Sequence, residues 1–448
     1  MKRSGWYFGA MAIGLWAFGV GAQDQSARTL NRSEDPVVVI ADQLGPMQGE
    51  AVSGLALLRW QGGGFEPIPW QVDEKNPAGK FCLDQGPKAN AKECNGLLDG
   101  KDELSFMAAD TGPRAPASAA KPAGAGKAAE LEISDPVAGG KAWAYLMVFA
   151  ANPPRSPVDY VKHEIKQGYD WVLAENYEFA EQAGASYFDR LLLKNAEGKM
   201  SVNLVDQLNG GVDVKLMRGL ISTSIRGRNT KADLIAWNDG PVRVIHRMHG
   251  YMKEGPIKIG GSGDADDVFY RNFLYTPIYI NIPFNPSSVF SDFRMNYMID
   301  WNGASDGLNY FDTVNTKGVR LDGKMEAAEK GLNTKNALTY WAVSGPQGSL
   351  LVRLTAPEKW SKVVTLQTYY VDDDTAKVKN ILDNVPGERQ TGFEIAGIKN
   401  IDKGTHLYTF YYFAPARAIG ADNVGPILNV LDHPLQVKAS GFGHQASD

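Results

Sequence analysis

Short β-branched and aromatic runs carry the hydrophobic pattern of this chain, and apolar positions with a helical period of 3.6 are few. Residues 37–40 read Val-Val-Val-Ile. Residues 142–149 are a continuous apolar and aromatic run behind the Gly139-Gly140 turn signal, and residues 242–248 alternate behind Asn238-Asp239-Gly240-Pro241. Residues 65–72, 103–108, 275–282, 350–354, 363–371 and 406–413 have the same character, so each is expected to be a strand. The dipeptides Asn209-Gly210, Asp239-Gly240, Asn302-Gly303 and Asp322-Gly323 are turn signals between such runs. Only residues 324–330 and 376–382 suggest helices, both short. The expectation is a mainly β protein of antiparallel β-sandwich domains with few short helices.

Composition breaks divide the chain. Residues 112–127 are rich in Ala, Pro and Gly and almost free of large hydrophobes, which predicts a mobile loop. The strand-like residues 131–133 beyond it would pair with residues 143–149, which places the loop inside one domain rather than between two. Residues 151–158 hold three prolines and form a stiff connector. The predicted organisation is an N-terminal β-sandwich over residues 35–150 and a larger β-sandwich region over 159–439, as one unit or as two divided near 333.

The first 22 residues change the picture. Lys2 and Arg3 precede a glycine-broken apolar stretch over residues 6–20, and Val20-Gly21-Ala22 offers a cleavage site. The stretch is short for a membrane span, which needs about 20 apolar residues. A signal peptide over 1–22 and a periplasmic or secreted protein are expected, with an uncleaved anchor as the competing reading. No later segment is apolar enough to span a bilayer. Loss of Lys2 and Arg3 takes the formal charge from −5 to −7, since −5 − 2 = −7. With no basic run, that balance argues against nucleic acid or an anionic membrane as partner.

Cys82 and Cys94 are the only cysteines, twelve residues apart. In an oxidising compartment they are expected to form a disulfide, because no Cys-x-x-Cys spacing or neighbouring histidine suggests a metal or redox site. The polar loop that they close lies within the densest acidic stretch of the chain. There, Asp99, Asp102 and Glu103 make a candidate calcium site, since carboxylates suit a hard cation. The spacing is not that of an EF-hand loop, and Lys101 sits among the ligands. A solvated Asp-Gly turn is therefore the simpler reading.

His246 and His249 form the only close histidine pair. A helix would put both on one face, but the surrounding pattern is that of a strand, where residues three apart face opposite sides. Arg243, His246, His249 and Tyr297 are the candidate catalytic residues, with a histidine or tyrosine as base beside an arginine. Arg294, Asp300 and Trp301 are the candidate ligand-binding set, if they line one cleft. Residues 260–267 and 372–374 combine acids with turn residues and read as surface loops. The dispersed Trp and Tyr residues fit a sandwich core before they fit a sugar-stacking face. Neither a nucleophile elbow nor a phosphate-binding loop is present, so hydrolase chemistry of the α/β type and nucleotide-dependent phosphoryl transfer have no support.

The residues Ile68-Pro69-Trp70-Gln71-Val72-Asp73-Glu74, followed by Asp99-Gly100-Lys101-Asp102-Glu103-Leu104-Ser105-Phe106, resemble a pattern in exported bacterial β-sandwich proteins. These are related to a domain family of unknown function associated with polysaccharide breakdown. Gly240-Pro241-Val242-Arg243-Val244 is similar to a further stretch of such proteins. The resemblance covers about a quarter of the chain and carries no catalytic residue with it. The leading expectation is an exported, non-catalytic protein that binds a glycan, small ligand or partner protein at the cell envelope. The alternatives are a carbohydrate-active enzyme such as a polysaccharide lyase, and a structural or assembly subunit of a surface complex.

Overall fold

The computed structural model describes residues 26–185, 187–216, 219–226, 230–254, 257–376 and 387–443. The expected signal segment 1–22 and most of the expected helix 376–382 lie outside them. The protein is mainly β, built from antiparallel sheets, as the hydrophobic pattern predicts. The described α-helices are Ala327–Lys330, which falls in one of the predicted helical stretches, and Gly425–Asp432.

Two sheets of three and five strands form the N-terminal part. Strands Ala125–Ser134 and Lys141–Phe149 pair as a hairpin around Asp135 and Gly139. The segment before this hairpin is anchored on it: the Ala115 amide donates to the Tyr145 hydroxyl at 2.6 Å, and Gly112 bridges Trp143. The last strand of the chain, Gln436–Gly441, returns to pair with Ala125–Ser134 and so completes the sheet that the N-terminal strands began.

The larger part stacks a nine-stranded sheet against a five-stranded and a four-stranded sheet. Strand alternation sorts the side chains of the nine-stranded sheet. Val244, Phe269, Leu274, Phe410 and Tyr412 face the two smaller sheets and join the largest core. Ile245, Val268, Phe273 and Phe413 face the opposite way, toward Phe81, Leu83 and Met107 from the N-terminal part.

Two stretches read as turns or loops are strand instead. Asn209-Gly210 lies inside Val205–Leu216, paired with Met298 and Tyr297, and residues 260–267 lie inside Ile257–Tyr270. Long cross-strand ladders outweigh the local turn preference of Asn, Asp and Gly there. Likewise Asp372, expected in a surface loop, is buried at the end of Thr365–Asp373. Its carboxylate accepts from the Asp322 and Gly323 amides at 2.7 and 2.8 Å.

Candidate active site cleft

Arg243 and His246 leave the same strand, Arg243–Glu254, on opposite faces. Arg243 points to the N-terminal part, where it is 1% exposed. Its Nε donates to Asp73 at 2.7 Å, Nη1 to the Tyr270 hydroxyl at 2.9 Å, and Nη2 to Glu103 at 2.8 Å. The Gln71 side-chain oxygen accepts from the Val242 and Arg243 amides at 3.0 and 2.9 Å. Each guanidinium nitrogen thus donates, two of them to acids of the N-terminal part. Arg243, a candidate catalytic residue, is therefore engaged in ion pairs on the face away from His246. His249 also lies off the site: Nδ1 meets Asp264 at 2.7 Å near the surface.

The candidate cation ligands are committed elsewhere too. Glu103 pairs with Arg243 and Lys75. Asp102 accepts from the Lys75 and Asp99 amides at 2.7 and 3.0 Å, and Asp99 accepts from the Asn95 side chain at 2.8 Å. Among the described residues no three His, Cys, Asp or Glu side chains group as a metal site, and Asp99, Asp102 and Glu103 each hold partners within the protein. Cys82 and Cys94 are joined, with their Cα atoms 6.3 Å apart. The loop that they close is held from outside by Phe81 and Leu83, which bury against the nine-stranded sheet, and by Asn238, whose amide donates to the Cys82 carbonyl at 3.0 Å.

Arg294, Asp300 and Trp301 do not line one cleft. Residues 294 and 300 share the outer face of strand Phe290–Trp301, whereas Trp301 and Tyr297 face inward. Arg294 is exposed and pairs with Asp292 and Glu394. Asp300 accepts from Asn209 at 3.2 Å, and the Trp301 ring nitrogen donates to Thr391 at 2.8 Å. Strand alternation separates them, because their separations are even within the outer pair and odd between that pair and Trp301.

A different set does converge. Across the inner face of the nine-stranded sheet, Trp237, His246 and Asp267 are consecutive cross-strand partners. Thr276 on the next strand hydrogen-bonds Asp267 and pairs with Phe410. Opposite this row stands Tyr297 of the five-stranded sheet, its ring stacked on Phe410 at 3.8 Å. The Tyr412 hydroxyl donates to the Tyr297 oxygen at 2.6 Å, so Tyr297 keeps its own proton for another acceptor. Glu181 enters from the four-stranded sheet. The Phe179 ring, two residues before Glu181, packs on Phe269, two residues after Asp267, at 5.3 Å, which brings the Glu181 strand over the Asp267 strand.

Beside this buried neighbourhood the two sheets are less tightly closed. Thr276, Ile278 and Ile280 on one sheet and Phe293, Met295 and Tyr297 on the other point between the sheets yet stay only half-buried. At its floor Asp267 is 6% exposed, and its Oδ1 has no protein partner. Burial pushes its carboxyl up to about 8, opposed by the Thr276 hydrogen bond and reinforced by Asp266. Burial also raises Glu181 well above the usual carboxylate range, and the charges of Asp267, Asp170 and Asp189 push the same way. His246 is held neutral by burial and by His163, its edge-on neighbour at 4.6 Å. Protonated carboxyl, phenol and neutral imidazole together make an uncharged, hydrogen-bonding floor between aromatic walls. Such a surface suits a polyhydroxylated ligand.

Of the sequence candidates, His246 and Tyr297 reach this cleft. Glu181, Asp267, Thr276 and Tyr412 were missed. Their signal was alternation: Tyr177, Phe179 and Glu181 share one strand face, as do Asp267 and Phe269, and Phe410 and Tyr412. An acid at the inward position of an apolar alternation is the anomaly that marks the site.

No family model matches this sequence, and no curated protein matches it. Among solved structures, an alpha-mannosidase from Enterococcus faecalis V583 superposes with a TM-score of 0.43 at 8% identity, over 93% of this chain and 45% of that one. A glycosyl hydrolase family 38 protein from Enterococcus faecalis gives 0.40 at 7% identity, over 95% and 47%. The chain spans less than half the length of each. Likeness at this level assigns no function.

Proposed function

We propose that this chain is an exported protein of the periplasm or cell exterior that binds a neutral glycan in the cleft around Asp267. The observation that carries the reading is the half-buried gap between two sheets, beside a buried carboxyl with one unpartnered oxygen and bounded at one end by the Tyr297–Phe410 stack that spans the sheets. Buried polar atoms normally find partners, and the unpartnered Asp267 oxygen lies enclosed beneath the gap, where only a hydroxyl or water entering between the sheets would reach it. The disulfide fits an oxidising compartment. Among the described residues no helix is long and apolar enough to cross a membrane.

A polyuronate lyase is the weaker reading. That chemistry needs a group to neutralise the uronate carboxylate, and Arg243, the arginine assigned to it, is spent on Asp73 and Glu103 on the opposite face of the sheet. The charges acting on Asp267 and Glu181 are those of other acids, which disfavours an anionic ligand.

Calorimetric titration of the chain lacking residues 1–22 tests the proposal, with cello-, xylo-, manno- and galacto-oligosaccharides set against polyuronates. Binding of a neutral oligosaccharide, weakened about tenfold by Tyr297→Phe and by Asp267→Leu in variants that keep the wild-type Tm, is the expected result. Loss of one hydrogen bond to a neutral group gives an effect of that size. A panel without any neutral binder, or binding indifferent to both substitutions, would overturn it.

A further inference from the structure

We propose that the outer face of the five-stranded sheet carries a second ligand site, for one neutral sugar unit, built on the cross-strand row Gln207, Asp300 and Gln390. This face points away from Tyr297, so the site is separate from the gap beside Asp267 and does not depend on it. The three residues stand on adjacent strands, Val205–Leu216, Phe290–Trp301 and Glu388–Ala396, as direct partners in register. Asn209 and Glu388 share the face, each two residues from the row along its strand. A bulge places Gln207. The ladder slips between Val205 and Gln207, so Val205 lies opposite Trp301 and Gln207 opposite Asp300. Regular pairing would have set Gln207 opposite Ile299, facing the core. Bulges re-aim side chains in this way beside functional sites.

Burial sets this row apart. The outer face of an antiparallel sheet is ordinarily solvated, with its polar side chains in water. Here Gln390 is 1% exposed, Glu388 2%, Asp300 3%, Asn209 5% and Gln207 6%. Hydrogen bonds join them: Gln390 Nε2 donates to Glu388 and, at 3.5 Å, to Asp300, and Asn209 donates to Asp300 at 3.2 Å. One amide nitrogen thus serves two carboxylates, which fixes the orientation of that amide and turns its oxygen to the ligand. Gln390 Oε1 has no protein partner, and neither has Gln207 Nε2. Asn296, further along the same face, repeats the pattern. Its Nδ2 donates to Asp213 at 2.8 Å, and its Oδ1 has no partner. Buried polar atoms without partners are exceptions that call for an explanation, and here three amide atoms share one sheet face.

The chemistry of the row selects its ligand. It offers an amide donor, amide acceptors and two carboxylates, and a hydroxyl both donates and accepts. A sugar presents several hydroxyls at once. An anion would instead meet the carboxylates of Asp300 and Glu388. The nearby arginines are engaged: Arg294 pairs with Asp292 and Glu394, and Arg389 leaves on the other face toward Asp374 and Asp306. Asp300 and Glu388 are two acids, and among the described residues no three His, Cys, Asp or Glu group as a metal site. The row itself is enclosed, and its margin is more open. Asn296 and Tyr369 on the same face are half-buried, and Arg294 beyond them is exposed. The sugar enters from that margin and reaches the row with one unit.

The test is calorimetric titration with glucose, galactose, mannose, xylose and rhamnose of the chain lacking residues 1–22, as wild type and as Q207M, D300N and Y297F. One of these sugars is expected to bind the wild type, with affinity about tenfold lower in Q207M and in D300N, the size of one lost hydrogen bond. Q207M should keep or raise Tm, because an apolar group of similar shape replaces a buried donor that lacks a partner. It therefore decides the matter even where D300N fails to fold. Y297F, on the other face, should leave this affinity within about threefold, since separate sites act independently. Failure of the reading at Asp267 and failure of this one are thus distinguishable. A wild type that binds none of the sugars overturns the proposal, as does binding that survives Q207M. A fall of Tm in Q207M also overturns it, because the amide would then be structural. Binding lost in Y297F and kept in Q207M would assign the sugar to the gap beside Asp267 instead.

Discussion

Replacing Arg243 by methionine should unfold the joint between the N-terminal part and the nine-stranded sheet. The guanidinium is 1% exposed, and the side chains of its partners Asp73 and Glu103 are 2% and 14% exposed. Removing one member of a buried ion pair typically costs about 3–5 kcal/mol, because the remaining charge is left desolvated. Two contacts survive here: the Gln71 amide still donates to Asp73 at 2.9 Å, and Lys75 still pairs with Glu103. The lower end, about 3 kcal/mol, is therefore expected. Urea denaturation of wild type and Arg243→Met gives the value directly. Adding Asp73→Asn to Arg243→Met should recover part of the loss, since the stranded charge is then gone. The pH dependence has a definite sign. Burial alone would raise the Glu103 carboxyl, but Arg243 and Lys75 outweigh it and hold it below its ordinary value. Its contribution is thus complete above the unfolded carboxylate pKa and is lost as pH falls through the depressed folded one. Arg243→Met should weaken that acid-side loss. A destabilisation under about 1 kcal/mol, the level of an exposed pair, would refute the reasoning.

Replacing Cys82 and Cys94 together by serine opens a loop whose closure is worth about 3 kcal/mol in the chain-entropy account. Thermal denaturation should show a drop from that double substitution, smaller if the Phe81 and Leu83 anchors hold the loop unaided. Calcium and chelator titrations should both leave Tm unchanged, because Asp99, Asp102 and Glu103 are hydrogen-bonded within the protein; a rise with calcium would contradict the assigned geometry. His163 is lowered by burial from 6.5 to about 4, and His246 is lowered further. A depressed histidine leaves the unfolded chain binding more protons, so stability should fall as pH drops from about 6.5 toward 4. The slope approaches about 1.4 kcal/mol per pH unit for an enclosed group such as His246 and is smaller for half-buried His163. Denaturation of His163→Phe, which keeps the edge-on ring contact, should show a shallower slope over that range than wild type; an equal slope would count against the assignment.

The mainly β fold was legible because β-branched runs and turn signals are local properties, and they misled only where ladders ran long. Asn209-Gly210 and residues 260–267 carry turn chemistry, yet each lies in a long strand whose ladder with a neighbouring strand supplies backbone partners that no local turn can match. The opposite faces of His246 and His249 also follow from local pattern, because a strand alternates with period two.

What the sequence could determine by itself was therefore the kind of element, the face that each side chain takes, and the spacing of the two cysteines. Which faces meet was left to the tertiary structure. Arg243 reads as a plausible catalytic cation until the nine-stranded sheet turns it onto Asp73 and Glu103, some 170 and 140 residues away in sequence. Asp267 reads as an acid of a surface loop, and nothing local singles out Glu181, until the sheets close over both and burial raises their carboxyls. Charge state depends on burial and on partners distant along the chain, and neither is a property of local sequence.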